Sequence, residues 1–276
     1  MEDEKGFFDD RVDFRSADGV RCSPMEIIVP IGFYDPDIDL FHPFGTGIFI
    51  SSRGLFCTAK HVFEFEPEFL AQFDHLSLNA YPAIYQYYPD HTANVRPIAA
   101  AHVHEQYDLA VGVCEPFKNF KDGSIFHNAL QALSSEVVEI GTDVHQYSYP
   151  NPILHHDGQK LETVMIPLST KGRVIDWLPN GMGSLFPSPV YVIEGYIGAG
   201  SSGGPVLDGS GRAFAVCSRG CEAGNYYHAI PIKEIADIVV SSVELGGPNP
   251  MKNPTIRDMS QRKLISFVKM VFSGGA

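Results

Sequence analysis

Apolar residues in this chain come in short bursts, cut by glycine, proline, serine and aspartate. Residues 26–34, EIIVPIGFY, form the first burst. Residues 45–51 and 55–58 follow, joined by Ser52-Arg53-Gly54. Short apolar runs bounded by turn formers predict β-strands, and two runs joined so tightly predict a hairpin. Further strands are expected at 76–88 (broken at Pro82), 95–103, 108–113, 137–146, 161–166, 172–177, 191–197, 212–217 and 226–232. Loops are expected at 35–43, 151–158 and 179–189, with a helical turn near 127–134. A helical period appears only late. One helix is expected at 232–240. A second is expected at 255–271, where Ile256, Met259, Leu264, Phe267, Val268 and Val271 make an apolar stripe behind Pro254 and a Thr255 cap. The pattern is that of an all-β protein of sandwich or barrel type with C-terminal helices.

Length and charge narrow this picture. The chain has 276 residues, a formal net charge of -13 and five cysteines. It is long enough for one large core or two small ones. The acidic balance argues against an extended nucleic-acid surface. No apolar run reaches the ~18 residues of a membrane-spanning helix, and the opening MEDEKGFFDD lacks the pattern of a secretory leader. An odd number of cysteines without zinc-like spacing points to reduced thiols and a cytoplasmic setting. His102 and His104, like the His155-His156 pair, read as solvated polar surface, so neither a metal nor a cofactor is expected. The expected organisation is an arm at 1–25, a first unit at 26–125, a second at 126–241, and a linker with an amphipathic helix at 242–276. That helix carries Arg257, Arg262, Lys263 and Lys269. It is expected to pack back on the domain or to dock on a regulatory partner.

Candidate chemistry begins at residues 198–207, GAGSSGGPVL, between two strand-like runs. Main-chain amides in such a turn can converge on a developing negative charge. The same glycines also suit a plain hairpin whose serine caps its own backbone. A serine hydroxyl is a poor nucleophile unless a base takes its proton and a third group orients the base. His61 follows a predicted strand directly, and Asp108 opens another. An aspartate beside so apolar a run needs a partner. His61, Asp108 and Ser202 thus each stand at a strand end, placed to meet in one cleft.

Three motifs in that order carry a family resemblance. Thr58-Ala59-Lys60-His61-Val62, Asp108-Leu109-Ala110-Val111 and the stretch 200–206 resemble the histidine, aspartate and nucleophile motifs of the trypsin/chymotrypsin-fold serine peptidases. Gly45-Thr46-Gly47, Thr170-Lys171-Gly172 and His228-Ala229-Ile230-Pro231 are similar to the HtrA-like branch, here without a PDZ domain. The resemblance spans roughly residues 26–240. It implies two six-stranded antiparallel β-barrels carrying a His61–Asp108–Ser202 triad. It also implies an oxyanion hole made by the amides of Gly200 and Ser202, and an acyl-enzyme route to peptide hydrolysis. Ser201 stands where secreted members carry an aspartate that pairs with a freshly cut N terminus, so that activation route is not implied. The specificity pocket is expected from Tyr196 or Ile197 at its base, Ala215 and the 217–219 wall (Cys217, Ser218, Arg219), and His228. No acidic residue stands there to receive lysine or arginine. The lining favours an apolar P1 side chain, and His228 leaves an acidic one open. A protein or peptide substrate is implied, with homo-oligomerisation open. A peptidase fold used only for binding, and hydrolysis of a non-peptide ester, also remain open.

Overall fold

The computed structural model describes residues 14–88, 92–117, 123–156, 161–184, 186–221, 224–241, 243–246 and 248–268. Six strands close into an antiparallel barrel: β1 (Ile28–Asp35), β2 (Leu40–Phe49), β3 (Leu55–Thr58), β4 (Tyr81–Tyr87), β5 (Ala93–Val103) and β6 (Ala110–Cys114). Their order around the barrel is β1-β2-β3-β6-β5-β4. Val29, Ile31, Phe49, Phe56 and Ile84 fill its interior, all without exposure to solvent. A β-branched or aromatic side chain at alternate positions is what a closed, half-buried strand selects.

The second sheet contains β7 (Leu133–Ser134), β8 (Asp143–Ser148), β11 (Leu168–Leu178), β12 (Val190–Glu194), β13 (Pro205–Leu207), β14 (Ala213–Cys221), β15 (Tyr226–Pro231) and β18 (Phe267–Val268). β13 pairs with both β8 and β14, so six of these strands form a second ring, β13-β8-β11-β12-β15-β14. Tyr191, Phe214 and Tyr227 pack inside it. A third cluster, with Ile28, Ile48, Cys57, Leu109, Tyr147, Tyr149 and Val216, joins the two barrels. The Tyr149 hydroxyl donates to the Ile28 carbonyl at 3.1 Å across that seam. A ribbon of β9 (Ile153–His156) and β10 (Leu161–Val164) leans on β2, and Thr163 Oγ1 donates to the Phe41 carbonyl.

Several expectations need correction. Residues 40–43 are strand rather than loop, because Phe44 is the extra residue of a β-bulge and Pro43 lies beside it, opposite Gly32. A bulge is where a strand tolerates proline. Residues 153–156, also expected in a loop, pair with β10. No helical turn forms at 127–134, which ends instead in β7. The acidic stretch starts a short helix, α1 (Pro67–Leu70).

The expected C-terminal helices shrink most. Residues Ile232–Asp237 make a 3-10 helix. The second, α2, covers Ile256–Gln261 alone. Thr255 caps it as expected, its hydroxyl accepting from the Asp258 amide at 3.1 Å. The helix stops because Lys263 takes a left-handed φ of 59°. The chain then turns and β18 pairs in parallel with β7. Ile256, Met259 and Ile265 are buried with Ile232, Ile235 and Ile238. Arg257 Nη2 holds Asp237 at 2.6 Å. The described part of the apolar face is thus largely buried against the chain's own barrels, the first of the two outcomes expected for it, but as a short helix, a turn and a strand in place of one long helix. Lys269 and Val271 lie outside the described residues.

Candidate active site

His61 lies in a 3-10 turn, Lys60–Phe63, directly after β3. Asp108 precedes β6, which pairs with β3, so the two residues stand side by side at neighbouring strand ends. His61 Nδ1 is 2.9 Å from Asp108 Oδ2 and 3.1 Å from Oδ1. The His61 amide donates to Asp108 Oδ1 at 3.0 Å. The Ser218 hydroxyl also donates to this carboxylate. Burial pushes the Asp108 carboxyl up, but the His61 ring, the Ser218 hydroxyl and the His61 amide outweigh it and bring it to about 2. An ionised Asp108 fixes the proton of His61 on Nδ1. The lone pair is thereby left on Nε2.

Ser202 and His61 line one cavity of about 670 Å³. The Ser202 hydroxyl is turned to the Ser218 carbonyl, 3.1 Å away, and among the described residues no hydrogen bond joins it to His61. Resting catalytic contacts are often long and tighten only with substrate.

The turn around Ser202 is held from both barrels. Gly203 adopts φ 87°, and a Cβ there would fall 2.0 Å from both the Thr46 carbonyl and Thr58 Oγ1. Only glycine fits this approach. The Thr46 amide donates to the Ser202 carbonyl at 2.8 Å. Gly200 has φ 91°. The Ala199 carbonyl before it accepts from the Asn151 amide at 2.6 Å. In a trans peptide the N–H opposes the carbonyl, so the Gly200 N–H faces away from Asn151. Among the described residues the amides of Gly200 and Ser202 meet no acceptor. Unpaired main-chain donors are uncommon in folded proteins, and a pair of them beside a serine marks a place for an anion. Ser201, buried, receives a hydrogen bond from the Ser148 hydroxyl at 3.1 Å.

The cavity walls differ from expectation in part. Tyr196, Ile197, Ser218 and Arg219 line it, joined by Gly195, Gly220, Cys221, Gly224, Asn225 and Tyr226. Tyr196 is 61% exposed and forms a rim rather than the base. Ala215 and Cys217 do not line it: both point into the second barrel's core with no exposure. His228 does not line it either. It is 5% exposed, its ring 4.7 Å from that of Phe186, and burial lowers its pKa. Alternation along β14 turns Ala215 and Cys217 inward, whereas His228 lies on the other face of β15 from the core residues Tyr227 and Ala229, covered by Phe186. Arg219 is the exposed cation of the lining, and the described lining residues include no carboxylate. Sequence reasoning missed Ser218 as a partner of Asp108, and Thr46 and Asn151 as supports of the turn. Thr46 lies 154 residues from Gly200, and no local pattern signals such a contact.

The family model of the trypsin-like peptidase domain matches residues 45–216, well over half of the chain. The chain belongs to the trypsin-like peptidase family. Serine proteases of this family act on peptide or protein substrates, which agrees with a histidine and a serine facing one cleft. Among solved structures, Deg5 is 20% identical with a TM-score of 0.52, over 77% of this chain and 86% of that one. The active form of the protease Rv3671c of M. tuberculosis is 17% identical with a TM-score of 0.50, over 77% of this chain and 81% of the other. At such identities these two peptidases share the fold with this chain. No curated protein sequence matches it. None of the five cysteines is joined in a disulfide. Among the described residues no helix is long and apolar enough to cross a membrane, and no three His, Cys, Asp or Glu side chains converge as metal ligands.

Proposed function

We propose that this peptidase is a serine endopeptidase of the HtrA-like branch in which Ser202 attacks the scissile carbonyl. His61 Nε2 takes the hydroxyl proton and later gives it to the leaving amine. Asp108 holds the imidazole and offsets its positive charge. The amides of Gly200 and Ser202 receive the oxyanion of the tetrahedral intermediate. Collapse of that intermediate expels the amine and leaves an acyl-Ser202 ester, which water then attacks with the same base. The observation that carries this reading is that His61, paired with Asp108, lines the same cavity as Ser202, beside Gly200 and Ser202 amides that meet no acceptor among the described residues.

A fluorophosphonate probe tests it. The folded protein is expected to take up one equivalent, mapped to Ser202 by mass spectrometry. Complete absence of labelling overturns the enzymatic reading. It favours a peptide-binding module in its place, a reading supported by the hydroxyl's bond to the Ser218 carbonyl.

The cavity beside Ser202 serves as the S1 pocket, and its chemistry selects against a basic P1 residue. An exposed Arg219 with no described carboxylate opposite it repels lysine and arginine and leaves apolar or acidic side chains admissible. In a peptide-library profile, basic P1 residues are expected to rank last. An Arg219→Glu variant is expected to raise the basic-to-apolar ratio of kcat/KM by about tenfold, the scale of one partly screened charge reversal. An unchanged ratio removes Arg219 from specificity.

A further inference from the structure

The oxyanion donor assigned to Gly200 depends on two peptide planes that glycine itself leaves free to turn. One plane, Ala199–Gly200, is tied by the Asn151 amide to the Ala199 carbonyl at 2.6 Å. The other, Gly200–Ser201, is tied by Thr46 Oγ1, which donates to the Gly200 carbonyl at 2.8 Å. Asn151 belongs to the segment after β8, and Thr46 lies in β2 of the other barrel.

Thr46 is held on every side. It has no solvent exposure, and its carbonyl accepts from Thr58 Oγ1 at 2.7 Å. Its own Oγ1 accepts from the Tyr149 amide at 3.2 Å. A lone pair of the hydroxyl thus faces Tyr149, and its single proton goes to Gly200. No rotation of the hydroxyl serves both partners equally well. The Gly200 N–H lies in the Ala199–Gly200 plane, and a flip of that plane would put a carbonyl oxygen in its place. The Gly200–Ser201 plane, held also by the Ser201 amide on the Gly198 carbonyl at 3.1 Å, fixes the Cα on which that N–H pivots.

We propose that Thr46 is a positioning residue for catalysis: by anchoring the Gly200 carbonyl from the first barrel, its hydroxyl fixes the Gly200 Cα and so keeps the attached amide at the place of an oxyanion donor. The proposal rests on the peptidase reading of Ser202. It also assigns a task to the barrel seam. The donor on the second barrel is set by a side chain of the first, so catalysis requires the two barrels to be in register.

Valine matches the shape of threonine but donates nothing, and leaves both the Gly200 carbonyl and the Tyr149 amide without their partner. Thr46→Val is expected to lower kcat about 100-fold with KM within about threefold, since oxyanion donors act in the transition state. Inhibition by a peptidyl boronate, whose tetrahedral adduct places an oxygen in the hole, is expected to weaken by a similar factor. Thr46→Ser keeps the hydroxyl and is expected to restore kcat to within about fivefold of wild type, which a purely structural role of the methyl would not allow. Should Thr46→Val fail to fold, the Thr46→Ser and Thr46→Ala pair, compared at a temperature where both are folded, isolates the same oxygen. Equal kcat and equal boronate inhibition in a hydroxyl-bearing and a hydroxyl-free variant overturn the proposal. The outcome in which wild type itself takes no fluorophosphonate is different, because it overturns the peptidase reading beneath it.

Discussion

A Ser202→Ala variant is expected to lose about 10⁶ in kcat on a peptide substrate, with KM close to wild type, as removal of a nucleophile that acts in concert with its base does elsewhere. Binding surfaces of the cavity stay intact, because the residues that wall it are held by β12, β14 and β15 rather than by Ser202. Among the described residues the deleted hydroxyl makes one hydrogen bond, to the Ser218 carbonyl. Its loss costs about 1 kcal/mol of stability. A continuous assay with a fluorogenic peptide, run beside a thermal melt, separates the two effects. More than one hundredth of wild-type turnover in the variant would leave Ser202 without the role proposed for it.

Asp108→Asn is expected to follow, with a fall in kcat of about 10⁴. Asp108 accepts hydrogen bonds from the His61 ring, the His61 amide and the Ser218 hydroxyl. An amide NH2 in place of one oxygen sets donor against donor. The imidazole then keeps its proton on Nε2, the atom that has to receive the one from Ser202. The acid response has a definite sign. A carboxyl lowered from 3.8 to about 2 contributes stability that is complete above the ordinary value and is lost as pH falls to about 2. Its worth at neutral pH is about 2 kcal/mol. Wild type is therefore expected to shed stability between roughly pH 4 and pH 2, and Asp108→Asn to show a flatter curve there. Parallel acid melts of the two proteins would refute the assignment.

Much of this was legible in the chain because the signals are local. Residues 55–58 and the stretch around Ser202 carry their strand, turn and glycine cues within a few positions. The motifs at His61, Asp108 and Ser202 fixed which side chains to bring together. What stayed hidden has longer reach. Gln86, Arg96 and Asn128 bond one another inside the first barrel, and nothing near any of them announces it. The pocket wall was misjudged because the sequence does not say which face of β14 looks inward, and Ala215 and Cys217 turned out to be core. The stripe at 255–271 misled for another reason. Ile256, Met259, Leu264 and Phe267 fit a helical period, yet a helix, a turn and a strand in succession produce the same spacing. Leu264, 45% exposed, belongs to none of the buried faces that a continuous helix would present.

Ser201 offers a last consequence. The residue before the nucleophile is neutral, buried, and anchored to Ser148, itself next to Gln146. Uncharged groups have nothing to titrate, and no liberated ammonium is needed to balance them. A newly cut N terminus therefore finds no counter-ion at this position, and the Ser202 turn takes its order from hydrogen bonds between neutral groups.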